Sequence, residues 1–130
     1  MSVDEGLYAW IEEALAPLGR VSKRPMMGGA TLYLDGTIFA IIARDELWLK
    51  SDADSDSLWD AEGCARFTMD MAGRLASMNY RRAPADVYDE AETLQLWANV
   101  ALGAGRRAAA KKRPRGGAAA ARSRGSPRSS

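Results

Sequence analysis

Residues 26–50 read MMGGATLYLDGTIFAIIARDELWLK, and their punctuation decides the fold. Gly28-Gly29, Asp35-Gly36 and Arg44–Glu46 divide the run into apolar segments at Ala30–Leu34, Thr37–Ala43 and Leu47–Lys50. Asp35-Gly36 is the strongest turn signal. Asp tolerates positive φ and Gly adopts it without penalty, so the pair suits the tight turn whose twist matches two antiparallel strands. Thr31 and Tyr33 fall on one face of the first segment and Leu32 and Leu34 on the other, whereas residues 38–42 are continuously apolar and suit a central, largely buried strand. The segment predicts a three-stranded antiparallel meander.

Upstream, Ser2 and Glu5 have the spacing of a capping box, and Leu7, Trp10, Ile11, Ala14, Leu15 and Leu18 recur at helical intervals, with Pro17 and Gly19 closing the helix around residues 16–18. Downstream, residues 54–62 predict a short helix with Leu58 and Trp59 facing inward. Arg66–Met71 and Leu75–Tyr80 then flank Ala72-Gly73-Arg74 as a hairpin in which Phe67 and Met69 face Met78 and Tyr80. Asp89 and Glu92 repeat the capping spacing before a last helix striped by Leu94, Trp97, Ala98, Ala101 and Leu102, which Gly103 and Gly105 should end or fray. The order α-β-β-β-α-β-β-α predicts an α+β fold: a two-layer α/β sandwich with an antiparallel sheet of about five strands and helices on one face.

Composition divides the chain at residue 105. Residues 1–105 carry nine Lys/Arg against all seventeen Asp/Glu, a net of −8, while residues 106–130 carry nine Lys/Arg and no acid, a net of +9. One domain over 1–105 and a disordered Ala/Arg/Lys/Gly/Ser-rich tail over 106–130 are therefore expected, with 106–113 able to extend the last helix transiently. Apolar residues are spread rather than bunched, with neither a membrane-spanning run nor a secretory leader, so the expected location is cytoplasmic, with nucleoid association through the tail. The lone Cys64, beside Gly63 and Ala65, reads as a small core residue, and the chain has no histidine.

Catalytic and metal patterns fail on inspection. Asp52, Asp54, Asp56, Asp60 and Glu62 imitate the start of a calcium loop, but the glycine position falls on Ser57 and the bidentate carboxylate on Gly63. The acids read instead as a solvated helix start. Gly28-Gly29 precedes a strand and lacks the Lys-Ser/Thr of a phosphate loop. Without histidine, a serine nucleophile would need a lysine base, and Lys23 and Lys50 sit in no such context. Met26, Met27, Met69, Met71 and Met78 read as core rather than as a binding groove. No enzyme and no cofactor is expected. Arg106, Arg107, Lys111, Lys112, Arg113, Arg115, Arg122, Arg124 and Arg128 lack interleaved aromatics, so they offer sequence-blind, salt-sensitive affinity for phosphates of DNA or RNA, or for an acidic protein surface.

Arg24-Pro25-Met26-Met27-Gly28-Gly29, then Leu32–Gly36, Phe39-Ala40 and Leu47–Lys50, resemble the N-terminal domain of the TfoX/Sxy family. Phe67-Thr68, the run from Met78 to Pro84 and Leu96-Trp97-Ala98 extend the resemblance over residues 5–103. It implies a two-layer α/β domain of the kind also seen in type III secretion chaperones. It further implies a regulator that assists a DNA-bound transcription factor at competence genes, and supplies no catalytic residues. The motif positions Arg24, Met26, Met27, Gly28, Gly29, Gly36, Phe39, Lys50, Tyr80 and Pro84 read as turns and core. Met27 stands where the family motif usually has Phe, and a basic tail takes the place of the family's separate C-terminal domain. Two readings follow: a non-catalytic regulatory module whose domain contacts a protein partner while the tail holds DNA, and a protein-binding adaptor or chaperone-like homodimer without a nucleic-acid role.

Overall fold

The computed structural model describes residues 5–26 and 28–112, apart from the side chains of Met71, Leu75, Ala76 and Lys112. Ser2, Met27, Arg113, Arg115, Arg122, Arg124 and Arg128 lie outside that set. The elements are helix α1 (Glu5–Leu15), strands β1 (Val21–Met26), β2 (Gly29–Leu34), β3 (Thr37–Ala43) and β4 (Glu46–Lys50), and helix α2 (Asp56–Ala61). Strands β5 (Arg66–Met71) and β6 (Arg74–Arg82) follow, then a 3-10 turn at Ala85–Tyr88 and helix α3 (Ala91–Lys112). All six strands form one antiparallel sheet in the order β1-β2-β3-β4-β6-β5. The α+β class, the central β3 and the helical layer stand as the sequence predicts.

The sixth strand is β1, which periodicity does not announce. VSKRPM buries only Val21, and Pro25 cannot donate to a ladder, so its strand character comes from pairing with β2 at the sheet edge. Tight turns join the meander. Asp35 and Gly36 take φ of 50° and 84°, as expected of their pair, but Arg44 and Asp45 also sit at φ of 55° and 63°. Two non-glycine residues are thus held in the left-handed region by the strands they join.

The helical layer covers one face of the sheet. Ile11 and Leu15 of α1, Leu32 of β2, Phe39 and Ile42 of β3, Leu47 and Leu49 of β4, Trp59 of α2 and Leu94, Ala98 and Leu102 of α3 form one buried cluster, which also takes in Cys64. Trp59 is fully buried, with its ring 4.7 Å from that of Trp97, whereas Leu58 is half exposed and not inward as expected. A six-residue helix has room for one buried side chain toward the core, and Trp59 occupies it.

Two further expectations change. In the β5–β6 hairpin Thr68 pairs with Ser77 and Met69 with Ala76, while Arg66 pairs with Arg81. Two extra β6 residues therefore bulge opposite Phe67, which breaks the direct pairing of Phe67 and Met69 with Met78 and Tyr80, and Met78 is exposed. Helix α3 runs through Gly103 and Gly105 to Lys112, past the boundary drawn at residue 105. Its glycines are there for contact rather than termination: a Cβ on Gly105 would collide with the Ile38 carbonyl oxygen and lie 3.1 Å from Thr37 Cγ2. Helix and strand backbones meet at that point. Among the described residues no helix is long and apolar enough to cross a membrane.

Candidate functional site

Opposite the helices, the sheet bears a second, smaller core that no helix among the described residues covers. Ile41 and Ala43 of β3, Trp48 of β4, Phe67 of β5 and Tyr80 of β6 are buried there, with Met26, Ile38 and Met69 packed against them. Strand alternation puts these residues on the face away from Leu32, Leu47 and Leu49, as their registers require: Ile41 pairs with Trp48, Trp48 with Arg82, and Lys50 with Tyr80. Trp48 and Phe67 meet edge to face with centroids 4.8 Å apart. Trp48 also donates its indole N–H to the Ala43 carbonyl at 3.1 Å.

Cations roof these rings. Arg44 lies 4.6 Å from the Phe67 centroid, Arg82 5.1 Å from Trp48, Lys50 4.9 Å from Tyr80 and Arg24 5.8 Å from Tyr33. Each pair contributes about 0.5–1 kcal/mol where the cation stays wet. Arg44 also donates to the Thr68 carbonyl at 2.7 Å, and Arg82 Nε to Glu46 at 2.9 Å. Burial, with a smaller contribution from Tyr33, pushes the Tyr80 phenol up to about 12, so it stays a neutral ring beneath Lys50. The face presents charged nitrogen donors above shielded aromatic rings. That chemistry suits anions.

Four motif residues singled out in the sequence share this face. Arg24 is exposed on it, Met26 accepts a 3.2 Å hydrogen bond from Thr31, and Lys50 and Tyr80 form one of the pairs. The other described motif residues are elsewhere. Phe39 is fully buried beneath the helices, Gly28 and Gly36 lie in turns, and Pro84 precedes the 3-10 turn. Gly29 pairs with Ala43, and a Cβ on it would collide with the Ile42 carbonyl oxygen, so β2 and β3 approach there as only glycine permits.

The acid run at residues 52–62 finds arginines rather than solvent alone. Arg107 on α3 grips Asp52 with Nε at 2.6 Å and Nη2 at 3.0 Å, and its Nε lies 3.3 Å from Asp54. That bidentate contact is the main reason the Asp52 carboxyl is held down to about 2, against the opposing effect of burial; hydrogen bonds from Ser55 lower it further. Arg81, on the helix side of β6 and 3% exposed, donates to Asp60 at 2.8 Å, to the Cys64 carbonyl at 2.9 Å and to Asp56 at 3.1 Å. Asp56 also meets Arg66 at 3.3 Å. The Cys64 thiol is buried, and burial pushes it up, with Glu62 adding and Arg81 opposing. Of the tail cations that lie within the described residues, Arg107 is thus tied into the domain, while Arg106 and Lys111 are exposed on α3.

Arg44, Arg82 and the buried Trp48 and Phe67 were not read as a site in the sequence. The cations come from a turn and three separate strands, and only the β4–β6 pairing sets Arg82 over Trp48. A local signal existed in the alternation Glu46, Trp48, Lys50, which marks one face of β4. Nothing local says that no helix among the described residues covers this face.

The family model described as the TfoX N-terminal domain matches residues 13–105. Over 63 residues, 48% of this chain, the sequence is 30% identical to the DNA transformation protein TfoX1 of Aliivibrio fischeri (strain ATCC 700601 / ES114), covering 30% of that protein. Over 77 residues, 59% of this chain, it is 29% identical to Protein Sxy of Escherichia coli (strain K12), covering 37% of it. The chain therefore spans about a third of the length of the curated relatives it matches.

Proposed function

We propose a regulatory function on one premise: this chain belongs to the TfoX N-terminal domain family. The single observation that carries the proposal is the extent of that match, which runs from the last turn of α1 to Gly105 and so includes every strand of the sheet. One matched relative is named a DNA transformation protein, and membership implies a competence-related regulator. In this reading the protein is a non-catalytic co-activator. Its folded domain contacts a protein partner, a DNA-bound transcription factor, while Arg113, Arg115, Arg122, Arg124 and Arg128 hold nearby nucleic acid without reading sequence. A weak, sequence-blind tether raises the local concentration of the domain at its target, and the domain supplies the choice of target. The cytoplasm, at the nucleoid, is the compartment this requires.

The test is genetic and biochemical. Deleting the gene in its host should lower uptake of added DNA and the transcripts of uptake genes. Restoring the full chain should recover both, and restoring a chain with the five tail arginines changed to Gln should recover less. Unchanged transformation and transcripts in the deletion strain overturn the regulatory reading. Full recovery by the neutralised chain overturns the role given to the tail alone.

A further inference from the structure

We propose that the helix-free sheet face is a second nucleic-acid contact surface, built from Arg24, Arg44, Lys50 and Arg82 and aimed at the phosphate backbone. The proposal rests on the reading that this protein works at nucleic acid, but different residues carry it. Arg24 of β1 and Arg82 of β6 lie on one line across the sheet, since Arg24 pairs with Thr31, Thr31 with Ile41, Ile41 with Trp48 and Trp48 with Arg82. Four inter-strand steps separate them, about 19 Å at the usual spacing, comparable to the width of a duplex. Lys50 stands two residues along β4 from that line, and Arg44 at the β3–β4 turn lies beyond its other side. Against these four cations stand Glu46, which Arg82 already engages at 2.9 Å, and Asp45 in the turn.

Phosphate fits this surface better than a protein does. A protein interface is anchored by apolar and aromatic side chains that become buried on binding. Here the rings are already covered: Phe67 is 1% exposed, Trp48 3% and Tyr80 7%, each beneath a cation. The most exposed large apolar side chains among the described residues, Leu96 and Leu58, sit on the helices instead. What the face offers is guanidinium and ammonium groups in contact with rings, and Arg44 and Arg82 each also make a hydrogen bond. An arginine has five N–H donors, so both keep donors for a phosphate. Because the Phe67, Trp48 and Tyr80 rings are covered, no base can stack on them, and their cations contact phosphate without reading sequence.

The experiment titrates a fluorescent DNA duplex with four full-length chains: the natural one, one with Arg113, Arg115, Arg122, Arg124 and Arg128 changed to Gln, one with Arg24, Lys50 and Arg82 changed to Gln, and the combination. The tail-neutralised chain should still bind, and with about three phosphates engaged its affinity should fall about 40-fold between roughly 50 and 200 mM salt. The combined chain should lose that binding, with its circular dichroism and melting temperature matching those of the face-only variant. Glu46→Gln, which removes a negative charge from the same face, should tighten binding of the tail-neutralised chain severalfold. Loss of all binding in the tail-neutralised chain overturns the proposal and leaves the tail as the anchor. Retention of all binding in the combined chain also overturns it. If a polyglutamate peptide binds the face and the duplex does not, the surface belongs to an acidic protein and the proposal fails. If none of the four chains binds DNA, both the face and the tail readings fall.

Discussion

Gly103 and Gly105 sit two residues apart in α3, and replacing each with Ala should move stability in opposite directions. Ala is the better helix former at either position by about 0.8–1 kcal/mol, because glycine loses more backbone freedom on folding. At Gly103 the new Cβ would meet only the end of the Arg107 side chain, with Nη1 at 3.4 Å, and a flexible guanidinium can shift by a few tenths of an ångström. Gly103→Ala should therefore stabilise by about 0.5–1 kcal/mol. At Gly105 the Cβ would run into the Ile38 carbonyl oxygen and crowd Thr37 Cγ2 at 3.1 Å. Neither a strand carbonyl in the middle of the sheet nor the helix backbone can yield without moving α3 as a body, and overpacking of this kind costs about 1–3 kcal/mol. Set against the propensity gain, Gly105→Ala should give a net destabilisation of up to about 2 kcal/mol, toward the upper end because the collision is with backbone. Urea unfolding followed by far-ultraviolet circular dichroism resolves both, with unchanged m-values expected if the fold is kept. Equal stabilisation by the two substitutions would refute the docking of α3 on β3 and, with it, the placement of Arg107 beside Asp52.

Three further outcomes follow from the same geometry. Trp59→Ala should cost about 3–5 kcal/mol, because the ring is fully buried, and Trp97→Ala less, because Trp97 is half-buried and packs chiefly on Trp59. A double-mutant cycle should return a coupling of about 0.5–1.5 kcal/mol, and additive losses would contradict the ring contact. The Asp52 carboxyl, held down to about 2 by Arg107, is a depressed acid. Its contribution is complete above the unfolded value near 3.9 and is lost as pH falls from about 4 toward 2, so acid unfolding of Asp52→Asn should lack that part of the pH dependence seen in the natural chain. Tyr80, pushed up to about 12, has the opposite sign: its contribution is complete below about 10 and is lost as pH rises through about 12. Titrating tyrosinate absorbance should show a late-ionising phenol that disappears in Tyr80→Phe, and ionisation of that phenol near pH 10 would show that the ring is not shielded.

The legible parts of the fold were those whose signal is local. Asp35-Gly36 marks its turn by backbone preference alone, and residues 38–42 mark a central strand because both faces of it are covered. The illegible parts depend on partners remote in sequence. VSKRPM is a strand only because β2 is beside it, and Arg44-Asp45 is a tight turn with no glycine, in which Arg44 is held at a positive φ it disfavours. Gly105 resembles a helix stop in the sequence, since nothing near it says that Ile38 lies against it. The site shows the same division. Lys50 and Tyr80 belong to a recognisable motif, but their stacking needs the β4–β6 pairing across the intervening residues 51–79.

Charge is where composition misleads most. A net of −8 before residue 105 and +9 after it suggests an acidic domain with a detachable basic tail. The structure distributes the same charges differently. Asp52 and Asp54 neutralise Arg107 from beyond that boundary, and Asp56 and Asp60 neutralise Arg81 and Arg66 within the helical layer. These four carboxylates are engaged internally, all on the helix side of the sheet. On the opposite side, the described strand residues bring Arg24, Lys50 and Arg82 against Glu46 alone, with Arg44 and Asp45 at the adjoining turn. The domain is therefore polarised across its sheet more than it is acidic overall. A polyanion approaching at physiological salt responds to charges within about 8 Å rather than to the net sum, so it meets a basic surface on a domain whose total charge would repel it.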